Sequence, residues 1–251
     1  MVSLSVAVSS GYKVTWGSTT HGGRIRQVNQ DSYLATGNMF VVADGMGGHA
    51  AGKEASQCAV DVFSGLSGDQ RFDLSRAQVL AALEKAHQTI RKIPYTDGRP
   101  PGTTLSGVFL LPTLPVPTWL VANVGDSRTY MLESGSLRQL TIDHSFSLPE
   151  LRVNPRLGGV KFSGKGVTRN LGSVNNHVPD VWEHQVQADQ RLLVCSDGLT
   201  NELGDARIER ILELQPNAQL ASDQLVSEAL ASGGRDNVTA LVVDIKDNAV
   251  I

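Results

Sequence analysis

Four aspartates in this chain stand where metal chemistry would need them. Asp44 closes the apolar run FVVAD, Asp126 follows TWLVANVG, Asp197 follows RLLVCS, and Asp236 lies in GGRDN just ahead of TALVVDI. Short β-branched and aliphatic runs bounded by turn formers mark buried strands, so each carboxylate is delivered to a rim where strand gives way to loop. Carboxylates gathered in one cleft repel and raise each other's pKa unless cations stand between them. The cations suited to all-oxygen donors are Mg²⁺ and Mn²⁺. The four acids therefore predict a metal centre.

The segment DGMGGHAAGK surrounds the first of them. Gly45, Gly47 and Ala50 match the dinucleotide fingerprint, and Gly47, Gly52 and Lys53 match a P-loop up to its last position. Glu54 stands where a P-loop needs Ser or Thr, and a dinucleotide loop would aim Asp44 at a pyrophosphate. A carboxylate beside phosphate makes sense only with a cation between them. Asp44 is better read as a bridging metal ligand, with Gly45 offering its carbonyl and 46–52 forming a turn. Taken alone, Asp44 would pass for a helix-capping residue. Upstream, Arg26 precedes Asp31 by five residues in RQVNQD. A guanidinium grips two phosphate oxygens at once, which suits a phosphoryl substrate. The same two residues, considered in isolation, read as an ion pair in a surface turn.

The elements that must position these groups follow from periodicity. Strands are predicted over 13–16, 32–35 and 39–43, then a helix over 50–63 with Ala51, Ala55, Cys58, Ala59, Val62 and Phe63 on one stripe. Ser75 and Gln78 form a capping box for a second helix, in which Val79, Ala82, Leu83, Ala86 and Ile90 face one way up to the break at Pro94. Strands over 104–111, 119–124, 128–132 and 137–141 come next, and a helix over 218–231 stops at Gly233 and Gly234. Short intervals between strands favour antiparallel hairpins, and elements grouped in blocks argue for an α+β fold.

Composition narrows the class. With 251 residues, 41% hydrophobic and 19% charged, the chain suits one globular domain over 1–251, with a core over about 2–245. A net charge of -3 gives no case for nucleic acid or an anionic membrane as partner. No stretch reaches the roughly 18 apolar residues of a membrane span. Cys58 and Cys195 have neither disulfide nor zinc spacing, which fits a reducing, cytoplasmic setting. A cysteine-phosphatase loop wants arginine six residues after the nucleophile, where Ser64 and Asn201 stand. Both cysteines are read as core residues.

Together, RQVNQD (26–31), ADGMGGHAAG (43–52), GTT (102–104), NVGDSRTY (123–130), LTIDHS (140–145), TRNLG (168–172), LLVCSDGLT (192–200) and GGRDNVT (233–239) resemble the metal-dependent protein phosphatases of the 2C type, in their bacterial form. The resemblance implies a four-layer αββα sandwich of two antiparallel sheets flanked by helices. It implies two core Mn²⁺ or Mg²⁺ ions bridged by Asp44, with Asp197 and Asp236 completing the first site and the Gly45 carbonyl serving the second. Asp126, with Asp197, would hold a third, weaker ion. Asp31 would support a metal-bound water and Arg26 would take the substrate phosphate. The implied reaction is hydrolysis of phosphoserine and phosphothreonine in proteins, by a metal-bridging water or hydroxide attacking phosphorus in line with the leaving alkoxide. Its implied partners are phosphorylated proteins, among them a bacterial Ser/Thr kinase and its targets, met by a monomer. His49 is a candidate general acid, although the family's catalytic histidine often follows the Asp-Gly pair directly, where Met46 stands. His87 and His144 are assigned no chemistry. A catalytically silent phosphoprotein-binding relative is the alternative, and intact Asp44, Asp197 and Asp236 argue against it.

Two departures from the family pattern stand out. Gln30 occupies a place where many relatives carry glutamate. The flap, 143–172, carries Arg152, Arg156, Lys161, Lys165 and Arg169 against the single acid Glu150 between 145 and 169. Such a basic strip would draw in acidic or phosphorylated segments.

Overall fold

The computed structural model describes residues 5–8, 11–68, 74–96, 98–113, 115–151 and 162–247. One antiparallel sheet is built from β1 (Ser5–Val8), β2 (Tyr12–His21), β8 (Arg128–Glu133), β9 (Ser136–Gln139), β13 (Arg191–Cys195) and β14 (Val238–Asp247), in the order β1-β2-β14-β13-β8-β9. The other contains β3 (Asp31–Ala35), β4 (Met39–Met46), β6 (Leu105–Leu111), β7 (Thr118–Val124) and β12 (Asp180–Gln185), in the order β12-β7-β6-β4-β3, with the short β5 (Gly102–Thr103) paired to the end of β4. Helices α1 (His49–Ser64) and α2 (Arg76–Ile90) pack on the second sheet. Helices α3 (Asp197–Thr200), α4 (Asp205–Leu214) and α5 (Ala218–Ser232) pack on the first.

Strand alternation explains why the apolar runs are continuous rather than alternating. In β4, Phe40 and Val42 point between the sheets, where they meet Trp16, Trp119, Val194 and Val243; Met39, Val41 and Ala43 point the other way, onto α1 and α2. In β13, Leu192 and Val194 face the opposite sheet while Leu193 and Cys195 face α3, α4 and α5. Each central strand buries both faces, so neither can be polar. This is the four-layer αββα sandwich implied by the sequence.

The predicted helix over 75–90 forms as read. Ser75 Oγ accepts from the Gln78 amide at 3.3 Å, Gln78 Oε1 accepts from the Ser75 amide at 2.9 Å, and Val79, Ala82, Leu83, Ala86 and Ile90 are all buried. The structure adds β1, β5, β12, α3, α4 and a strand pair within 145–167 to the predicted elements and extends the strand read over 13–16 to Tyr12–His21. Helix α4 buries Ile208, Ile211 and Leu212, a stripe spanning barely one turn and therefore weak as a periodic signal. Within the flap, β10 (Ser145–Leu151) and β11 (Phe162–Val167) pair as a hairpin. Arg152, Arg156 and Lys161 lie outside the described residues, as does the side chain of Lys165. Arg169, the last of the basic strip, is paired with Asp180 at 2.9 Å.

Candidate metal centre

The two sheets bring their acidic ends to one place. Antiparallel pairing of β3 with β4 sets Asp31 opposite Asp44. In the other sheet, Cys195 pairs with Arg128 and with Ala240, so the chain leaving β13 at Asp197 runs beside the β7–β8 turn that carries Asp126 and beside the approach to β14 that carries Asp236. Asp31 joins the two sheets. Its Oδ2 accepts from Thr239 Oγ1 at 2.7 Å and from Ser196 Oγ at 2.8 Å, both from the opposite sheet's end.

Burial and crowding of like charge dominate the electrostatics. Burial pushes the Asp31 carboxyl up to about 7; the two hydroxyl donors oppose this, and repulsion from Asp197 and Asp236 adds to it. Asp31 Oδ1 is buried without a hydrogen-bond partner. Asp44 is held well above the usual carboxylate range, first by burial and then by repulsion from Asp31, Asp197, Asp236 and Asp126. All four of the other acids thus act on Asp44. The main chain at Asp44 is fixed by Thr104, whose hydroxyl accepts from the Asp44 amide at 3.1 Å and whose amide donates to the Asp44 carbonyl at 2.9 Å.

Positive charge at the cluster is sparse. Arg26 Nη2 donates to Asp236 Oδ2 at 2.7 Å, and its guanidinium is held above its ordinary value chiefly by that bond. The ion pair of Arg26 with Asp31, open from sequence, is not formed: Asp31 is enclosed between the sheets, whereas Arg26 lies on the loop between β2 and β3. Lys53 Nζ donates to the Asp31 carbonyl at 2.7 Å and to Ser32 Oγ at 3.0 Å. It serves the backbone, as a phosphate-binding P-loop lysine would not. Asp197 Oδ2 accepts from Asn201 at 2.8 Å.

A family model, Protein phosphatase 2C, matches residues 16–238. The chain belongs to the protein phosphatase 2C family. It is 34% identical over 239 residues to the serine/threonine phosphatase Stp of Listeria innocua, covering 90% of this chain and 93% of that one. To the serine/threonine protein phosphatase PstP of Mycobacterium tuberculosis it is 32% identical over 232 residues, covering 90% of this chain and 44% of that protein. The catalytic domain of the serine threonine protein phosphatase PstP, solved in complex with two manganese ions, aligns with a TM-score of 0.77 at 28% identity, over 94% of this chain and all of that one (100%).

The donor set of this phosphatase 2C chain fits hard divalent cations. The cluster offers carboxylate and carbonyl oxygens, it carries more negative charge than Arg26 and Lys53 balance, and it contains a buried carboxylate oxygen with no partner. Among the described residues, no group of three His, Cys, Asp or Glu side chains closes into a cage. The hydrogen bonds from Arg26 to Asp236 and from Asn201 to Asp197 turn two of the carboxylates toward side-chain donors. Mg²⁺-type ions keep several waters and need few protein ligands, so an open array suits them better than a cage would. At Gly45 a Cβ would collide with the Gly52 carbonyl and stand 2.8 Å from that of Gln30, so only glycine lets the start of α1 pack against this strand end.

Other residues sort by position. His49 opens α1, and its side chain lies outside the described residues. His87 accepts from the Gly172 amide at 3.1 Å and stacks on His177, and His144 accepts from the Gly125 amide at 3.1 Å, so both are structural. The buried Cys195 thiol is pushed up to about 12, chiefly by burial, and burial also raises Cys58, so neither is a thiolate nucleophile. Sequence reading missed the polar residues that hold the acids: Ser196, Thr239 and Asn237. Asn237 Oδ1 accepts from the Gln30 amide at 2.9 Å, and its amide group donates to the carbonyls of Gly22 and Val28, which ties the Arg26 loop to Asp236. Each lies within three residues of a singled-out aspartate, which was the available signal.

Proposed function

We propose that Asp44, Asp197 and Asp236 hold two divalent ions, Mn²⁺ or Mg²⁺, with the Gly45 carbonyl as a further donor, and that Asp126 with Asp197 holds a third, weaker one. The protein is a metal-dependent phosphatase that hydrolyses phosphoserine and phosphothreonine in proteins. Such ions, when bound, neutralise phosphate charge and lower the pKa of water to near neutrality. The chain's own contribution is to place and orient. Arg26 binds the phosphate oxygens; Asp31, fixed by Ser196 and Thr239, offers an acceptor for a proton of the attacking water; Thr103 and Thr104 fix the Asp44 backbone. His49 stands as the candidate proton donor to the leaving alkoxide. The same reading makes the chain a cytoplasmic monomer acting in signalling, opposite a Ser/Thr kinase.

The observation that supports this reading most is the register of Asp31 on Asp44, with three further acids repelling the same carboxyl. No helix among the described residues is long and apolar enough to cross a membrane. Hydrolysis of para-nitrophenyl phosphate tests the reading. It should require added Mn²⁺ or Mg²⁺, stop with EDTA and survive thiol alkylation; turnover in EDTA, or loss on alkylation, would refute it.

A further inference from the structure

A cavity of about 280 Å³ opens beside Arg26, lined by Ile25, Arg26, Gln27, Val28, Gln30, Gly47 and Arg99. It is therefore lined by two arginines, one on each of two separate chain segments, and only Arg26 is assigned above to the scissile phosphate. Arg99 is brought there by the backbone of the site itself. Three residues after it, Gly102 and Thr103 pair with Met46 and Gly45, the strand end that holds the proposed carbonyl donor. Between them, Pro100 and Pro101 lie against Gly47, whose φ of +125° suits glycine and where a Cβ would come within 3.3 Å of both prolines. Two prolines fix φ and stiffen this approach, so the main chain that carries Arg99 is held in place.

We propose that Arg99 determines substrate specificity by binding a second anion on the substrate, carried close to the phosphoserine or phosphothreonine whose phosphate occupies Arg26. The inference rests on the phosphatase reading above. A cavity of this volume is roughly 8 Å across, the span of about two residues of extended chain, so the second anion lies within two residues of the first. Carboxylate and phosphate both match a guanidinium fork. The apolar side chains of Ile25, 67% exposed, and Val28, 40% exposed, both at the same cavity, would pack against the peptide between the two anions.

The test compares wild type with Arg99→Ala and Arg99→Lys in Mn²⁺ on four substrates: para-nitrophenyl phosphate, a phosphopeptide with neutral neighbours, the same peptide with glutamate beside the phosphoserine, and a doubly phosphorylated version. Arg99→Ala should raise KM about three- to tenfold for one or both of the last two, leave kcat unchanged, and change the first two less than twofold. Arg99→Lys should recover part of the loss. Selective loss on the glutamate peptide names the anion as carboxylate, and selective loss on the doubly phosphorylated one names it as phosphate. An equal effect on all four substrates, or none on any, overturns the assignment of Arg99 alone. Failure of the wild type to turn over para-nitrophenyl phosphate in manganese would overturn the phosphatase reading along with it.

Discussion

Arg26 Nη2 stands 2.7 Å from Asp236 Oδ2, so the side chain proposed to take the substrate phosphate is bonded to one proposed to take metal. Both roles meet at one carboxylate group. Removing the guanidinium should therefore act in opposite directions on them. Arg26→Ala should lower kcat/KM for para-nitrophenyl phosphate about 10- to 100-fold, the size of a lost charge-assisted phosphate contact. The same variant should bind Mn²⁺ more tightly by calorimetry. Weaker or unchanged Mn²⁺ affinity would show that the pair does not compete with the ion.

Asp44→Asn and Asp236→Asn each remove a proposed ligand while keeping the side chain's shape. Either should lower kcat by about three orders of magnitude or more with an unchanged circular dichroism spectrum. Asp126→Ala should be milder, because a third, weaker ion is lost while the first two remain. Near-normal turnover in either asparagine variant would refute the ligand assignment.

Gly45→Ala tests the close packing at the end of β4. The added methyl meets the carbonyls of Gly52 and Gln30, backbone groups that cannot swing aside. The variant should lose several °C in Tm and bind Mn²⁺ more weakly, since the strand end must shift. Wild-type stability and metal affinity would show that the contact relaxes at no cost.

The protein should also lose stability in mild acid through a group away from the metal centre. His87 is buried and stacked 3.6 Å from His177; burial, and then the second imidazole, hold its pKa below 6.5. Below that value the unfolded chain takes up a proton that folded His87 refuses. Stability is thus fully present near pH 7 and falls toward pH 5, with a slope of at most about 1.4 kcal/mol per pH unit from this group. His87→Asn keeps an acceptor for the Gly172 amide and cannot titrate. In EDTA its Tm should vary less between pH 7.5 and 5.5 than that of the wild type, and an equal pH dependence would remove His87 as the cause.

Much of this was legible before any coordinates. The runs FVVA and LLVC ahead of Asp44 and Asp197 are apolar at every position because both strand faces are buried, and that made them visible as strands. The Ser75 capping box is local chemistry and was read correctly for the same reason. The Arg26 partner was not legible: Asp31 is five residues away and Asp236 is 210, and only the β2–β14 pairing brings the second one near. Considered in isolation, Asp31 read as the partner of Arg26 in a surface turn, whereas the structure encloses it with two hydroxyls from the opposite sheet. Helix α4 carries three buried residues in ten, too short a stripe for periodicity to separate from loop.

The most direct measurement is the melting temperature of the wild type and of Asp44→Asn, each in EDTA and in Mn²⁺. At manganese a hundredfold above its Kd, binding should stabilise the wild type by about 2.7 kcal/mol, roughly 5–10 °C in Tm. Asp44→Asn, relieved of charge repulsion, should melt at or above the wild-type temperature in EDTA and gain little from the metal. A wild type that ignores manganese, or a variant that gains as much from it, would contradict the account.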